Sequence, residues 1–220
     1  MESLQYPFRG QGAFGKIVTA GLLMMIPLVN LFGAFVLVGY GIKIIGSVLA
    51  GDENLPEFDI MQDFGRGLIG LVAAIVYMIP VIIISVVLGV LFGNGSGGMN
   101  GIGALLYLLT IPLSFALSLA VLVAFSRFAV EGESGVLFAF TENFQLAFGN
   151  LGAGLEFFVN AILFGIILGV LVGIGFVLLI IPGLVIAIAG QFAQYHLAAQ
   201  YAQRLGIGGK AKRKMEEYSF

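Results

Sequence analysis

Few side chains of this sequence are suited to chemistry. With no cysteine, the chain cannot form disulfides, thiolate metal sites or cysteine nucleophiles, and its single histidine argues against a metal site built on imidazoles. The sequence also lacks the GxxxxGK[ST], HExxH and GxSxG motifs of nucleotide binding, zinc proteolysis and serine hydrolysis. We therefore expect no catalytic residue, no cofactor and no metal, and a protein that is not an enzyme.

The first polar candidates are Glu156 and Asn160, which lie one helical turn apart on nearly the same face of an apolar run. A carboxylate inside a bilayer must be paired, protonated or placed in a wet cavity, which makes Glu156 a candidate for function. The alternative is an interfacial acid close to the cytoplasmic end, where the carboxylate reaches water.

The second candidates are His196 and Gln200, which share a helical face near the end of the last apolar run. His196 could carry a proton or bind a polar headgroup, or it could be a hydrogen-bonded structural residue. Lys43 and Arg127 follow two other apolar stretches. Long basic side chains at such positions reach out to the interface, where contact with lipid phosphates is a second possibility.

The acidic segment 51–63 carries several carboxylates, which are the ligands that hard cations prefer. Its carboxylates lack the regular spacing and the terminal glutamate of an EF-hand loop. The segment ends in an amphipathic stretch that includes Phe58 and Phe64. We expect an interfacial lead-in at the lipid headgroups rather than a metal site.

The composition indicates that lipid is the solvent for most of the chain. Of 220 residues, 60% are hydrophobic and 10% are charged, whereas about a quarter are charged in ordinary soluble domains. The stretches 17–42, 67–126 and 157–203 carry no Asp, Glu, Lys or Arg, and each is long enough to cross a hydrocarbon core of about 30 Å. The sequence predicts an all-α polytopic membrane protein.

A repeated pattern indicates how the apolar runs are divided. Of the four Ile-Pro dipeptides, those at 26–27, 111–112 and 181–182 each open a stretch that ends near a glycine. Turns are expected at Gly93–Gly101 and at Ile181-Pro182-Gly183. Phenylalanine pairs six residues apart precede the odd-numbered helices: Phe8 and Phe14, Phe58 and Phe64, Phe138 and Phe144. We predict about six transmembrane helices as three helical hairpins (8–51, 58–132, 138–206) in one domain, 1–206, followed by a basic tail, 207–220.

This division determines the expected orientation. With six spans, all ten Lys and Arg residues fall on one side, which the positive-inside rule makes cytoplasmic. Five spans would divide them between both faces. We expect a multi-pass plasma-membrane protein with both termini cytoplasmic and no cleaved signal peptide. The first helix is short, and the basic tail, Lys210 to Lys214, is expected to contact anionic lipids rather than nucleic acid.

Gly165, Gly169 and Gly173 form two consecutive GxxxG units on one helix face. Such ridges permit close helix contact. We expect the ridge to pack inside the fold. The alternative is an interface with another membrane subunit or with a second copy of the chain.

Three segments resemble a known family: Tyr6-Pro7-Phe8-Arg9-Gly10, Gly39-Tyr40, and the stretch from Leu49 to Asp59 that contains Leu55-Pro56-Glu57-Phe58-Asp59. They are similar to the prokaryotic, mainly archaeal, membrane family of domain of unknown function 4013. Ile181-Pro182-Gly183 is more distantly similar to membrane domains that precede some glycerophosphodiester phosphodiesterases. The resemblance implies a polytopic helical protein with no assigned activity.

Two functions fit these observations. The first is a non-enzymatic scaffold, assembly factor or accessory subunit of a membrane complex, because the chain lacks catalytic motifs and has little mass outside the apolar runs. The alternative is a small transporter, channel or lipid-handling protein, for which Glu156, Asn160 and the His196 face would supply the polar groups. The expected partners are membrane lipids and other membrane proteins.

Overall fold

The structure is a computed structural model that describes residues 2–25, 27–52, 54–93, 98, 100–178 and 180–208. Within these ranges the regular elements are helices, with no β-strand among them. Short 3₁₀ turns cover Tyr6–Phe8 and Ser134–Phe138. The α-helices are α1 (Glu2–Gln5), α2 (Ala13–Met25), α3 (Pro27–Leu49), α4 (Ile60–Phe92), α5 (Gly101–Leu108), α6 (Thr110–Glu131), α7 (Phe140–Gly149), α8 (Leu151–Leu178) and α9 (Ile180–Arg204).

Four described helical segments are long and apolar enough to cross a membrane: Asn30–Leu49, Ile60–Phe92, Gly101–Glu131 and Leu151–Phe176. Helix α2 is apolar but has only 13 residues, about 20 Å at 1.5 Å per residue. Helix α9 is long enough, but five Gln and His side chains lower the hydropathy of its second half. The chain is a membrane protein, and the expected sixfold crossing stays a prediction.

The helix ends follow the proline and glycine signals. Pro27, Pro112 and Pro182 each lie in the first turn of a helix, where the missing backbone donor costs nothing. Gly51, Gly132 and Gly206 follow the same helices with positive φ angles, which glycine adopts without strain. The three predicted helical stretches are therefore present.

The turns differ in detail from the expectation. Helix α9 already begins at Ile180, so Pro182 and Gly183 lie inside its first turn rather than at the hinge. The described residues of α8 end at Leu178 and those of α9 begin at Ile180. Residue 179, between them, lies outside the described residues, as does Ile26. Most of the predicted turn from Gly93 to Gly101 also lies outside them, although α4 ends at Phe92 and α5 begins at Gly101.

In successive helices, residues late in the first helix contact residues early in the second, and residues early in the first contact residues late in the second. In α8 and α9, Gly175 lies against Gly183 and Leu168 lies against Gly190. Farther along the same pair, the rings of Phe157 and Tyr201 are 5.1 Å apart. This order is that of two antiparallel helices.

The long helix α4 pairs with the α5–α6 segment in the same manner. Phe92 lies against Gly103, and Gly70 lies against Phe125. In the first pair, Gly33 of α3 lies against Leu23 of α2.

Helix α3 forms the centre of the core and contacts α2, α4, α6 and α9. Its side chains Leu37, Tyr40 and Ile44 are buried. Helices α4 and α8 are peripheral, and large aliphatic side chains such as Val90 and Ile166 remain exposed along them. An exposed apolar surface of this extent fits lipid rather than water as the surrounding solvent.

The glycine ridge of α8 does not pack inside the described part of the fold, so this expectation was wrong. A Cβ added at Gly165, Gly169 or Gly173 would meet no described atom of another element within 4 Å. The close approach occurs instead where α3 crosses α4. A Cβ on Gly39 would overlap the carbonyl oxygen of Asp63, and a Cβ on Gly67 would overlap that of Phe35.

Candidate functional site

The connection between α3 and α4 contains an irregular segment, residues 54–58, which we call the strap. Four consecutive carbonyl oxygens of the strap accept hydrogen bonds from side chains of the preceding elements. The donors and acceptors are Tyr6 hydroxyl to Asn54 (3.3 Å), Lys16 Nζ to Leu55 (2.8 Å), Tyr40 hydroxyl to Pro56 (2.9 Å) and Lys43 Nζ to Glu57 (2.7 Å). Because buried backbone groups must be satisfied, this clamp allows an irregular segment to lie against the helices.

Aromatic contacts hold the strap from its apolar side. Leu55 is buried, and the ring of Tyr40 lies between those of Phe58 and Phe192 at 4.8 and 5.0 Å. Tyr6 is also buried, which raises the pKa of its hydroxyl above the ordinary value and keeps it a neutral donor.

Asp63 anchors the end of the strap, and the sequence patterns did not single it out as a separate site. Its side chain is fully buried, and Oδ2 accepts the backbone N–H of Asp59 at 3.0 Å. Oδ1 lies 3.4 Å from Lys43 Nζ and 3.6 Å from Arg66 Nη1. Asp59 in turn caps α4 by accepting the N–H groups of Met61 and Gln62. The sequence signal for this arrangement is the spacing of Asp59 and Asp63 at the start of a helix.

Lys43 is thus bound within the protein rather than extended to the interface. Its side chain is 22% exposed and contacts both the strap and Asp63. His196 lies at the other end of the same region. It is buried, its Nδ1 is 3.0 Å from Ser3 Oγ, and its ring lies 4.5 Å from that of Tyr6. These contacts are typical of a hydrogen-bonded structural histidine.

Arg127 belongs to a second polar network, between α6 and α7. Its guanidinium pairs with Glu131 and Glu142, both at 3.0 Å, and donates to Asn143 Oδ1 at 3.0 Å. Asn143 is fully buried and donates to the hydroxyl of Tyr77 at 2.8 Å. Sequence patterns did not indicate Asn143 or Tyr77, because their partners come from distant elements.

Glu156, Asn160 and Gln200 come together in a shallow groove between α8 and α9, which we call the α8–α9 groove. The carboxylate of Glu156 forms an ion pair with Arg204 across the groove. The groove is further lined by Ala153, Phe157, Leu197 and Tyr201. Thus three of the six candidate residues share one site, and His196, Lys43 and Arg127 lie elsewhere.

Arg204 was expected only as a charge that determines topology. Glu156 and Arg204 are equally distant from the start of α9 at Ile180, so an antiparallel pair of helices places them opposite each other. The antiparallel register of α8 and α9 is therefore the signal that identifies Arg204 as the partner of Glu156. Asn160 and Gln200 follow one turn deeper along the same two helices.

The described residues contain no group of three or more His, Asp or Glu side chains with metal-binding geometry. The basic tail, Lys210 to Lys214, lies outside the described residues. Within the described part, the polar side chains are concentrated at the strap, in the Arg127 network and in the α8–α9 groove.

The long apolar helices and the polar clusters at their ends define an α-helical integral membrane protein. A family described as "Protein of unknown function (DUF4013)" matches residues 22–182, and the chain belongs to this family. The match includes Gly39-Tyr40 and the strap but begins after Tyr6. No curated protein and no solved structure matches the chain.

Proposed function

We propose that the chain crosses the plasma membrane six times as three helical hairpins, with both termini in the cytoplasm. The antiparallel contacts within α2–α3, α4–α6 and α8–α9 support three hairpins. The described basic side chains lie near the starts of α2 and α4 and near the ends of α3, α6 and α9, as expected if every second connection is cytoplasmic. They are Arg9, Lys16, Lys43, Arg66, Arg127 and Arg204.

Helix α9 can cross in spite of its polar side chains because much of it is shielded by protein. Phe192, Ala193, Ala198 and Ala199 are buried against neighbouring helices. A helix that faces protein on several sides needs less apolar surface than one that faces lipid. This sheltering supports α9 as a sixth crossing.

Cysteine labelling tests the topology without removing native thiols, since the chain has none. In intact cells, an impermeant maleimide should label Gly95→Cys. It should label Glu133→Cys and Phe220→Cys only after the membrane is permeabilised. Labelling of all three variants from the same side would contradict the six-span arrangement.

For the biochemical role, we propose a non-enzymatic scaffold, assembly factor or accessory subunit of a membrane complex. This proposal rests on one observation: the residues that resemble the family make contacts within the protein. Tyr40, Leu55 and Asp59 bond or pack within the protein to fix the strap and the start of α4. Because these family-resembling residues make contacts inside the protein, they favour a role that depends on its shape and surface rather than on a catalysed reaction.

Copurification from native membranes tests this role. In mild detergent the tagged chain should elute with at least one stoichiometric membrane partner, and the complex should persist in the Glu156→Gln variant. The double variant Tyr40→Phe, Lys43→Met, which loosens the strap, should weaken the complex. A wild-type chain that always elutes alone would count against a partner role.

The second candidate is a small transporter, channel or lipid-handling protein, for which the α8–α9 groove is the favouring observation. It combines two opposite charges and two amides beside the exposed apolar face of α8. Proteoliposome flux assays distinguish this role: Glu156→Gln should reduce flux, with Glu142→Gln as the matched control. If both Glu156→Gln and His196→Ala transport at the wild-type rate, neither residue is a transport site.

A further inference from the structure

The α8–α9 groove carries a positive and a negative group at one level of the helix pair. The side chains of Glu156 and Arg204 are 49% and 52% exposed, so each remains accessible to a ligand. An exposed ion pair of this kind contributes little to stability. Exchanging this pairing for contacts with a bound ligand therefore costs the fold little.

Two amides lie one helical turn farther from the charged end. Asn160 is exposed and Gln200 is half-buried, and neither side chain makes a hydrogen bond to another described residue. An amide that faces hydrocarbon without a partner is unfavourable. The groove thus offers two hydrogen-bonding groups about 5 Å below the ion pair.

Farther along the same helix the surface is apolar. Leu163 and Ile166 are exposed on α8 beyond Asn160, and Phe157 and Leu197 line the groove itself. Charged groups, amides and aliphatic surface therefore follow one another along the helix axis. The headgroup, ester linkages and acyl chains of a phospholipid follow the same order along the membrane normal.

We infer that the α8–α9 groove binds one phospholipid with a zwitterionic headgroup. The lipid phosphate pairs with Arg204, the ammonium group pairs with Glu156, and the ester region contacts Asn160 and Gln200. The acyl chains lie along α8. This inference rests on the proposed topology, which places the groove at the level of the headgroups.

The charge balance selects this class of lipid. A zwitterionic headgroup supplies a partner for both members of the ion pair, so neither charge is left alone. An anionic headgroup without an amine would satisfy Arg204 but would place its phosphate beside the carboxylate of Glu156. The groove should therefore prefer phosphatidylethanolamine to phosphatidylglycerol.

Native mass spectrometry of the full chain in detergent, titrated with each lipid, tests the preference. Wild-type protein should bind phosphatidylethanolamine about tenfold more tightly than phosphatidylglycerol, the effect of roughly one unfavourable charge contact. Glu156→Gln should reverse or abolish this preference. Arg204→Gln should weaken binding of both lipids about tenfold. Glu142→Gln, which removes an exposed carboxylate paired with Arg127, should behave like wild type.

Equal binding of the two lipids by wild-type protein would overturn the inference, as would an unchanged preference in Glu156→Gln. Displacement by an equal concentration of water-soluble glycerophosphoethanolamine would also overturn it, because the ligand would then be a soluble zwitterion. Unchanged melting temperatures establish that the variants are folded. If the cysteines label as expected while the lipid preference is absent, the lipid site fails and the topology stands.

Discussion

Replacing Gly39 by alanine should destabilise the protein by about 3 kcal/mol or more, the upper range for overpacking a core. At this position α3 crosses α4 at backbone contact. The new methyl group would overlap the carbonyl oxygen of Asp63, and the amide nitrogen of Gly67 is 2.7 Å from its position. Since both obstacles are backbone atoms, no side-chain rotation relieves the overlap. Either the helices separate or the fold is lost.

Gly165→Ala is the matched control, because it adds the same methyl group to a helix where no described atom of another element lies within 4 Å. It should not destabilise the protein, and it can stabilise it by up to about 1 kcal/mol because alanine favours the helix. Thermal unfolding in detergent, followed by size-exclusion elution, measures both variants. A Gly39→Ala protein that melts like wild type would show that α3 and α4 do not cross at backbone contact. A change of oligomeric state in Gly165→Ala would instead assign the α8 ridge to an interface between copies.

These two glycines show why packing was harder to predict than helix boundaries. The GxxxG spacing at Gly165 and Gly169 is a property of one helix, whereas close approach also requires a partner helix at the right place. Gly39 and Gly67 are 28 residues apart in sequence and are brought together by the fold. Local signals were more informative: prolines in the first turn and glycines with positive φ mark the ends of α3, α6 and α9.

The candidate site was predictable to a similar degree. Glu156 and Asn160 share a helical face, and their meeting with Gln200 follows from the antiparallel register of α8 and α9. His196 lies on nearly the same face as Gln200, yet it contacts the N-terminal segment through Ser3 and Tyr6. Helical periodicity specifies which residues share a face but does not specify which element covers that face.

The strap could not be found from side-chain patterns, because its acceptors are backbone carbonyls. Any residue supplies such an acceptor, so Tyr40 and Lys43 give no sign in sequence of where they donate. The resemblance to the family marked Tyr40 and the strap without giving their role. Their geometry supplies a physical reason for the resemblance: Tyr40 and Lys43 hold the strap, and Asp59 begins α4.

The second large effect is expected at Asp63. Its carboxylate is fully buried, faces Lys43 and Arg66, and accepts the backbone N–H of Asp59. Asp63→Asn keeps the size of the side chain but removes the charge that balances the two cations. Breaking a buried ion pair from one side typically costs about 3 to 5 kcal/mol. We expect a loss of this size, measured as the free energy of unfolding in a dodecyl sulfate titration.

The matched control for Asp63→Asn is Glu142→Gln, which removes an equal charge from an ion pair whose carboxylate is 65% exposed. That change should cost less than about 1 kcal/mol. In addition, Asp63→Asn should release the strap, so that a glutamate-specific protease cuts after Glu57 faster than in wild type. If Lys43→Met partly restores the stability of Asp63→Asn, the loss came from leaving the partly buried Lys43 without its counter-charge. Equal stability of Asp63→Asn and Glu142→Gln would mean that Asp63 is not the charge that holds α3, the strap and α4 together.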